Sequence, residues 1–303
     1  MRIILCILAA VLLLVATGLA EAQMPQAPLG GASTLAATSA PKIDYASMQK
    51  LGWKLACQAY TFREMTLFET IDTLANLGIR YIELFPGQRY SKENPVPFTH
   101  NASPELINGL IQKLKSAKVT PVCYGVVGMG NNEGSARAVF DFAKKLNLET
   151  ITLEAPEEAI PMLDRLAQEY KINIAIHNHP RPSHYWNPDT VLKVCEGRSK
   201  RVGACADVGH WYRSGLNPVE SLRKLQGRII SLHFKDLNEN KQDVPWGTGV
   251  CDAKGMLAEL KRQGFKGVFS IEYESGSGAE LVSNVAKCVE FFSKTAAELA
   301  KRR

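Results

Sequence analysis

Short apolar runs alternate with longer amphipathic segments over most of the chain. The short runs, rich in β-branched residues, predict eight strands at 55–59, 81–84, 120–126, 150–153, 173–176, 202–206, 229–232 and 268–271. The segments between them have the apolar spacing of helices. Strands that alternate with helices in this way are typical of an α/β protein with a parallel sheet. Eight such units predict a single closed (β/α)8 TIM barrel, with an open doubly wound sheet as the alternative.

Capping residues followed by proline mark the start of three predicted helices. Each pair places a side-chain acceptor before a proline in the first helical position, at Ser103-Pro104, Asn187-Pro188 and Asn217-Pro218. Asp252 is predicted to cap a further helix. No GxGxxG motif follows the first predicted strand, which favours the barrel over the doubly wound sheet.

The first residues have the pattern of an export signal. After Met1-Arg2 the chain is apolar and uncharged until Glu21, and Ala20-Glu21-Ala22 fits a signal peptidase site. This predicts a signal peptide at 1–22 and a periplasmic or secreted protein; an uncleaved membrane anchor is the alternative. Residues 23–47, rich in Ala, Pro, Gly, Ser and Thr, predict a flexible linker. Residues 48–303 then form the barrel, without stable membrane association once the signal is cleaved.

Composition and charge exclude several classes of protein. The 303 residues are 46% hydrophobic and 22% charged, which excludes a collagenous or fully disordered chain. The net charge of +6 is spread without a basic block, so it does not support nucleic-acid binding. The chain has no CxxC motif, so a zinc ribbon or thioredoxin-type site is unsupported. Cys57, Cys123 and Cys205 lie in predicted strands, where buried thiols are expected, and no disulfide is assigned.

Acidic residues and histidines follow the predicted strands. Five of the six histidines fall between 177 and 233, each close to a strand end. The strand-end residues are Glu83, Glu154, His177, His179, Asp207, His210, His233, Glu272 and Glu274. In a barrel, the carboxyl ends of the strands form the active site. His, Asp and Glu side chains that meet there are the ligands of a divalent metal ion. The sequence therefore predicts a metal site at this end of the barrel.

The segments AIHNHP, CADVGH, LHFKD and FSIEYE resemble the xylose isomerase-like barrel superfamily of sugar isomerases, epimerases and related enzymes. The resemblance covers about residues 54–292 and implies that the ends of the fifth to eighth strands hold one divalent metal ion. By this resemblance the metal ligands are Asp207, His233 and Glu272, together with His177, which stands where the epimerases have a glutamate. A mixed His and carboxylate shell accepts Mn, Co, Ni, Zn or Mg, so the metal stays open.

The same resemblance suggests the acid–base groups. In the epimerases two glutamates act on opposite faces of the substrate, and the histidine at position 177 removes one of them. Glu272 is then one catalytic carboxylate, and Glu154, at the end of the neighbouring fourth strand, is the predicted replacement. His177 is counted with these catalytic residues because an imidazole also transfers protons. Whether Glu154 or His179 joins the metal ligands stays open.

Four further residues are predicted to bind the substrate. His210 lies three positions after Asp207, where relatives often contact the substrate, and His179 lies next to the metal motif. Lys235 offers an ammonium group to a sugar oxygen, and Trp246 an aromatic face to a sugar ring.

The chemistry implied by the resemblance is proton abstraction next to a sugar carbonyl, with a metal ion that stabilises the enediolate. Proton return gives isomerisation or epimerisation of a small sugar. Loss of a leaving group gives the alternative, a lyase acting on 3-keto-glycosides. A sugar-binding barrel without catalysis is a second alternative. The metal-dependent endonucleases of this fold are disfavoured, because the stretch after His233 lacks their Asp-x-His pair; no nucleic-acid partner is expected, and the oligomeric state stays open.

Overall fold

The computed structural model describes residues 41–301. The predicted signal peptide and residues 23–40 of the predicted linker lie outside the described residues. All eight predicted strands form. They are β1 (Trp53–Gln58), β2 (Tyr81–Leu84), β5 (Thr120–Gly128), β6 (Thr150–Glu154), β7 (Asn173–His177), β8 (Val202–Asp207), β9 (Ile229–Phe234) and β10 (Gly267–Ile271). They close into a parallel barrel in the order β1-β10-β9-β8-β7-β6-β5-β2. A short antiparallel pair, β3 (Gln88–Arg89) and β4 (Pro97–Phe98), follows β2.

Helices connect the strands, as the amphipathic segments predict. They are α1 (Tyr45–Leu51), α2 (Leu67–Asn76), α3 (Pro104–Ala117), α4 (Glu133–Lys145), α5 (Ile160–Tyr170), α6 (Pro188–Cys195), α7 (Val208–Arg213), α8 (Pro218–Lys224), α9 (Ala253–Arg262) and α10 (Gly278–Lys301). The predicted caps Ser103, Asn187, Asn217 and Asp252 each accept a backbone N–H in the first turn of their helix. Between residues 41 and 301 no helix has the length and apolar character needed to cross a membrane.

The predicted linker ends too late along the chain. Helix α1 begins at Tyr45, so residues 45–47 are helical rather than linker. The Asp44 side chain caps this helix, and its backbone N–H donates to Ser293 Oγ at 2.8 Å on α10. The Lys50 ammonium donates to the carbonyl of Ala300 at 2.7 Å, also on α10. A seven-residue helix has little intrinsic stability, and this one is stabilised by packing on the last helix.

Strand register brings the polar strand ends to one height. Asp207 on β8 lies opposite His233 on β9, and His233 lies opposite Ser270 on β10. The interior below them is apolar, with a cluster that includes Ala56, Val122, Cys123 and Val268. The six cysteines of the described chain are all buried and unbridged, as predicted for those in strands. The polar residues therefore project from the carboxyl ends of the strands above a closed core.

Candidate metal centre at the mouth of the barrel

The structure brings together all four predicted metal ligands. Donor atoms of His177, Asp207, His233 and Glu272 lie within 4.8 Å of one another, and all four residues are buried. His177 Nε2 lies 3.6 Å from Asp207 Oδ2, and His233 Nδ1 lies 3.1 Å from Glu272 Oε2. Each residue comes from a different strand end, so the barrel frame holds the cluster in place. We refer to these four residues as the ligand cluster.

Several polar atoms of the ligand cluster are buried without a hydrogen bond. They are His177 Nε2, Asp207 Oδ2 and both ring nitrogens of His233, as judged over residues 41–301. Asp207 Oδ2 lies 3.0 Å from the Lys235 ammonium, and each His233 nitrogen lies 3.1 Å from a carboxylate oxygen, but these contacts lack the geometry of a hydrogen bond. Buried polar atoms in folded proteins nearly always have a hydrogen-bond partner. Imidazole nitrogen and carboxylate oxygen are also the donors that divalent transition metals prefer. These atoms therefore fit a cation that completes their interactions.

Carboxylates outnumber the lysine and arginine side chains around the ligand cluster. Five carboxylates meet here, those of Glu83, Asp207, Asp243, Glu272 and Glu274, while the fixed cations in contact with them are Lys235 and Arg213. Burial raises the pKa of Asp207, but nearby positive groups, Lys235 among them, outweigh it and hold this pKa well below its usual range. Buried carboxylates in excess of their cations are costly, so a divalent cation would offset the imbalance.

Glu83 orients one of the candidate ligands. Its side chain is fully buried and accepts hydrogen bonds from Thr152 Oγ1 at 2.7 Å and from Ser270 Oγ at 2.5 Å. Its Oε1 atom lies 3.1 Å from His233 Nε2. Burial lowers the pKa of His233, but neighbouring groups that include Glu272 and Glu83 outweigh it and raise the pKa. A carboxylate behind an imidazole ligand is the usual means of fixing its orientation, and it leaves Nδ1 facing the cluster.

Glu154 orients His177 as Glu83 orients His233, and it also contacts His179. Its Oε1 atom lies 3.2 Å from His177 Nδ1 and accepts a hydrogen bond from His179 Nδ1. Burial raises the pKa of Glu154, but the hydrogen bonds from the two histidines outweigh it and lower this pKa to about 2. Glu154 is therefore a charged anchor for two imidazoles. The side chain of His179 is 49% exposed, against 30% for that of Glu154, so the imidazole is the more accessible group.

Lys235 was predicted to offer its ammonium group to a sugar oxygen, but the side chain does not face the cavity. The residue is 0% exposed, and its ammonium lies 3.0 Å from Asp207 Oδ2, 2.9 Å from Glu272 Oε2 and 3.0 Å from Glu274 Oε2. With all its near neighbours carboxylates, this ammonium has no surface left for a sugar oxygen. The predicted substrate contact is therefore wrong, and Lys235 belongs to the ion-pair network beneath the cavity.

Arg213 and Asp243 complete this network, and neither was predicted from the sequence. Arg213 donates to Glu274 Oε2 at 2.8 Å and to Asp243 Oδ2 at 3.0 Å. Burial raises the pKa of Asp243 to about 6, although Lys235 and Arg213 oppose the rise. Arg213 lies three residues after His210 on α7, and this spacing places both residues on one helix face. The spacing could therefore have identified Arg213 from the sequence. Asp243 lies in a loop and gives no signal in the sequence.

His210, predicted to contact the substrate, lies at the edge of the ligand cluster and lines the cavity. Its Nε2 atom is 3.5 Å from Asp207 Oδ2, and its Nδ1 atom is 3.1 Å from Arg213 Nη1. Burial is the main cause that lowers the pKa of His210 to about 2, so the imidazole is neutral near neutral pH. A neutral ring beside a guanidinium accepts a hydrogen bond at Nδ1 and keeps a proton on Nε2.

Trp246 is a structural residue, and its predicted contact with substrate is wrong. It is 2% exposed, and its ring packs 4.6 Å from Phe234 and 6.0 Å from Phe292, measured between centroids. Asp236 holds the surrounding loop by accepting the backbone N–H groups of Gly247 and Gly249. The loop therefore turns the indole into the core rather than towards the cavity.

A cavity of about 370 Å³ opens above the ligand cluster. Its polar floor includes His177, His210 and Glu272, and its wall includes Tyr60 and Phe85. The Tyr60 ring meets the Phe85 ring edge to face at 5.4 Å and is 39% exposed. Among the lining residues in the described chain there is no lysine or arginine. The cavity therefore suits a small neutral polar molecule with one apolar face.

Comparisons with known proteins agree with this architecture. The model of the xylose isomerase-like TIM barrel family matches residues 71–294. An uncharacterized protein from Parabacteroides distasonis shares 34% identity over 80% of this chain and 99% of its own, with a TM-score of 0.66. A D-tagatose 3-epimerase-like protein shares 20% identity over 80% of this chain and 98% of its own, with a TM-score of 0.61.

A third structure comes from a different reaction class. It is the probable 3-DHS dehydratase AsbF from Bacillus anthracis, with 13% identity over 77% of this chain and 97% of its own, and a TM-score of 0.59. At these identities the epimerase-like and dehydratase structures show a shared fold. No curated protein matches the sequence at a significant level.

Proposed function

We propose that this chain, which belongs to the xylose isomerase-like TIM barrel family, is a divalent-metal-dependent isomerase or epimerase of a small sugar. The observation that carries the proposal is the buried ligand cluster of His177, Asp207, His233 and Glu272 at the floor of a cavity of sugar size. The reaction would be proton abstraction from a carbon next to the carbonyl.

The ligand cluster would hold the cation, and one of its members, Glu272, together with His179 would move the proton. A divalent cation at these four residues would polarise the carbonyl oxygen and stabilise the charge that develops there. Glu272 lines the cavity, so its carboxylate would lie beside the substrate carbon. His179 lines the same cavity from the segment after β7, with its ring fixed by Glu154. Two proton-transferring groups on different strand ends are what epimerisation requires.

The His179 imidazole takes the place proposed from the sequence for Glu154. Glu154 already accepts from two histidines, and within the described residues it does not line this cavity, whereas His179 does. Glu154 would therefore act through His179, by fixing the tautomer and direction of its ring. The predicted catalytic role of Glu154 becomes a positioning role in this proposal.

The lining of the cavity favours an unphosphorylated sugar. A phosphate group is usually bound by lysine, arginine or a helix N-terminus. Of the cations near this cavity, Lys235 and Arg213 are paired with the Glu274 carboxylate, and Arg63 donates to the Glu274 carbonyl at 3.1 Å. A neutral sugar also agrees with the predicted export, which remains a prediction.

Elimination from a 3-keto-glycoside is the second candidate reaction. It needs the same proton abstraction, followed by loss of a leaving group rather than return of the proton. The exposed ring of Tyr60 on the cavity wall favours it, because this apolar surface suits the part of a glycoside that leaves. The histidine at position 177 also favours elimination, because it replaces one of the two glutamates that act on opposite faces of the substrate in the epimerases.

One experiment distinguishes these reactions. The protein is incubated in D₂O with free ketohexoses and with a 3-keto-glucoside, with and without chelator, and the products are identified by NMR. A new isomer or epimer with deuterium at the reacting carbon supports the first proposal. Release of the aglycone supports elimination. Sugar binding in calorimetry with no exchange of any proton would contradict both and favour a non-catalytic barrel.

A further inference from the structure

Lys235 occupies the side of the ligand cluster that carries the carboxylates. Its ammonium lies within 3.0 Å of Asp207 Oδ2 and of Glu272 Oε2. Oxygens of these two carboxylates are also donor atoms in the ligand cluster. A monovalent cation of the protein and a divalent metal ion would therefore share the same two carboxylates.

The fold is shaped to keep the lysine there. A Cβ atom placed on Gly209 would lie 2.8 Å from Lys235 Cδ and 2.9 Å from Lys235 Cβ, too close for any side chain. Gly209, on α7, therefore leaves the channel through which the lysine stem runs. A long side chain with no exposed surface, placed along such a channel, has few alternative positions.

We propose that Lys235 is a built-in cation that competes with the divalent metal for Asp207 and Glu272 and so sets how tightly the site holds it. The inference rests on the proposed function, since it concerns the metal of that site. Without a metal, the ammonium balances the carboxylates and the site stays folded. With a metal bound, two positive groups share these carboxylates, so their repulsion weakens metal binding.

Glu274 gives the ammonium a second partner during this competition. Its Oε2 atom accepts a hydrogen bond from Lys235 Nζ at 3.0 Å. Glu274 lies outside the ligand cluster, so its hydrogen bond with Lys235 would remain when Asp207 and Glu272 bind a metal ion. Arg213 also binds Glu274 but contacts neither of those two carboxylates, which makes it the matched control.

The test is the affinity of the full chain for Mn²⁺, measured by competition with a fluorescent chelator. Lys235→Met removes the charge and keeps the unbranched stem, and should bind Mn²⁺ at least about tenfold more tightly than the wild type. Arg213→Met should change the affinity by less than about threefold. Circular dichroism checks that each variant is folded. Lys235→Gln, whose amide can still donate to Glu274, replaces the methionine variant if that one does not fold.

The outcomes separate this inference from the proposed function. Tighter binding in the lysine variant alone supports the competition. Equal or weaker binding overturns it and makes Lys235 an organiser of the ligands instead. Binding by the variant and none by the wild type would support the competition and contradict the metal-dependent function. Binding by neither would overturn both.

Discussion

Asp207 and His210 are linked by a hydrogen bond of 2.7 Å, in which the His210 backbone N–H donates to Asp207 Oδ1. This bond caps helix α7, while the other oxygen of the carboxylate faces the ligand cluster. One side chain thus begins a helix and offers a metal ligand. The two roles use different oxygens and can be separated by substitution.

Asp207→Asn should lose the metal and keep the fold, because the amide oxygen still caps α7. The loss of affinity should exceed the roughly 10- to 100-fold typical of outer-shell partners. Asp207→Ala should lose the metal and also the cap, at a further cost of about 0.5–2 kcal/mol in the free energy of unfolding. Metal titration and urea unfolding of both variants check this. An Asn variant with wild-type affinity would remove Asp207 from the ligand cluster.

Acid should destabilise the metal-free protein partly through Glu154. Its pKa of about 2 lies below the ordinary value of 4.5, so the folded state favours the charged form. The stability it contributes is complete above about pH 4.5 and is lost as the pH falls towards about 2. Glu154→Gln should therefore show a smaller decrease in Tm than the wild type between about pH 5 and about pH 3.

The matched control for this measurement is Glu239→Gln. Glu239 is exposed and makes no ion pair or hydrogen bond within residues 41–301. Its pH profile should follow that of the wild type. Identical profiles for all three proteins would show that Glu154 is not coupled to His177 and His179.

The sequence predicts the barrel well because its signals are local. The strand predicted at 81–84 has the observed bounds, and the helix caps at Ser103 and Asn187 are confirmed. A cap or a short β-branched run depends on a few neighbouring residues. The meeting of the four residues of the ligand cluster was also predictable, since each directly follows a predicted strand and parallel strand ends converge at one face of a barrel. Their selection as metal ligands came from the family resemblance and stays a prediction.

The residues whose positions were predicted wrongly, or not predicted, are held by contacts between parts of the chain that are distant in sequence. Trp246 is buried because the Asp236 side chain, ten residues earlier, binds the loop backbone directly after it, at Gly247 and Gly249. Lys235 points inward because Gly209 leaves room for its stem. Arg213 reaches Glu274 across 61 positions of the chain. No pattern of neighbouring residues contains these contacts, so the sequence predicted the types of residue at the site better than their directions.

Gly209→Ala should destabilise the protein despite its helical position. The added methyl group meets the stem of Lys235 at under 3 Å, and overpacking of this kind costs about 1–3 kcal/mol. Gly134→Ala is the control, because it lies in helix α4 with ordinary space around the new methyl group. Denaturant unfolding should show a loss for the first variant and no loss for the second. A stabilised Gly209→Ala variant would mean that the channel is wider than described.

Tyr60 should contribute to substrate binding rather than to chemistry. Loss of its ring in Tyr60→Ala should raise KM about 3- to 10-fold with little change in kcat and in metal content. Tyr60→Phe should behave as the wild type if the ring face is what matters. Ile111→Ala, at a residue with the same 39% exposure on α3, is the control. A decrease in kcat alone would place Tyr60 in the chemical step.

The central claim is that His177, Asp207, His233 and Glu272 hold one divalent metal ion. Elemental analysis of the purified protein, before and after chelation and reloading, tests it most directly. We expect about one equivalent of a divalent metal per chain in the wild type, and none in Asp207→Asn at matched concentration. Wild-type protein that takes up no metal after reloading, or an Asn variant that retains a full equivalent, would contradict it.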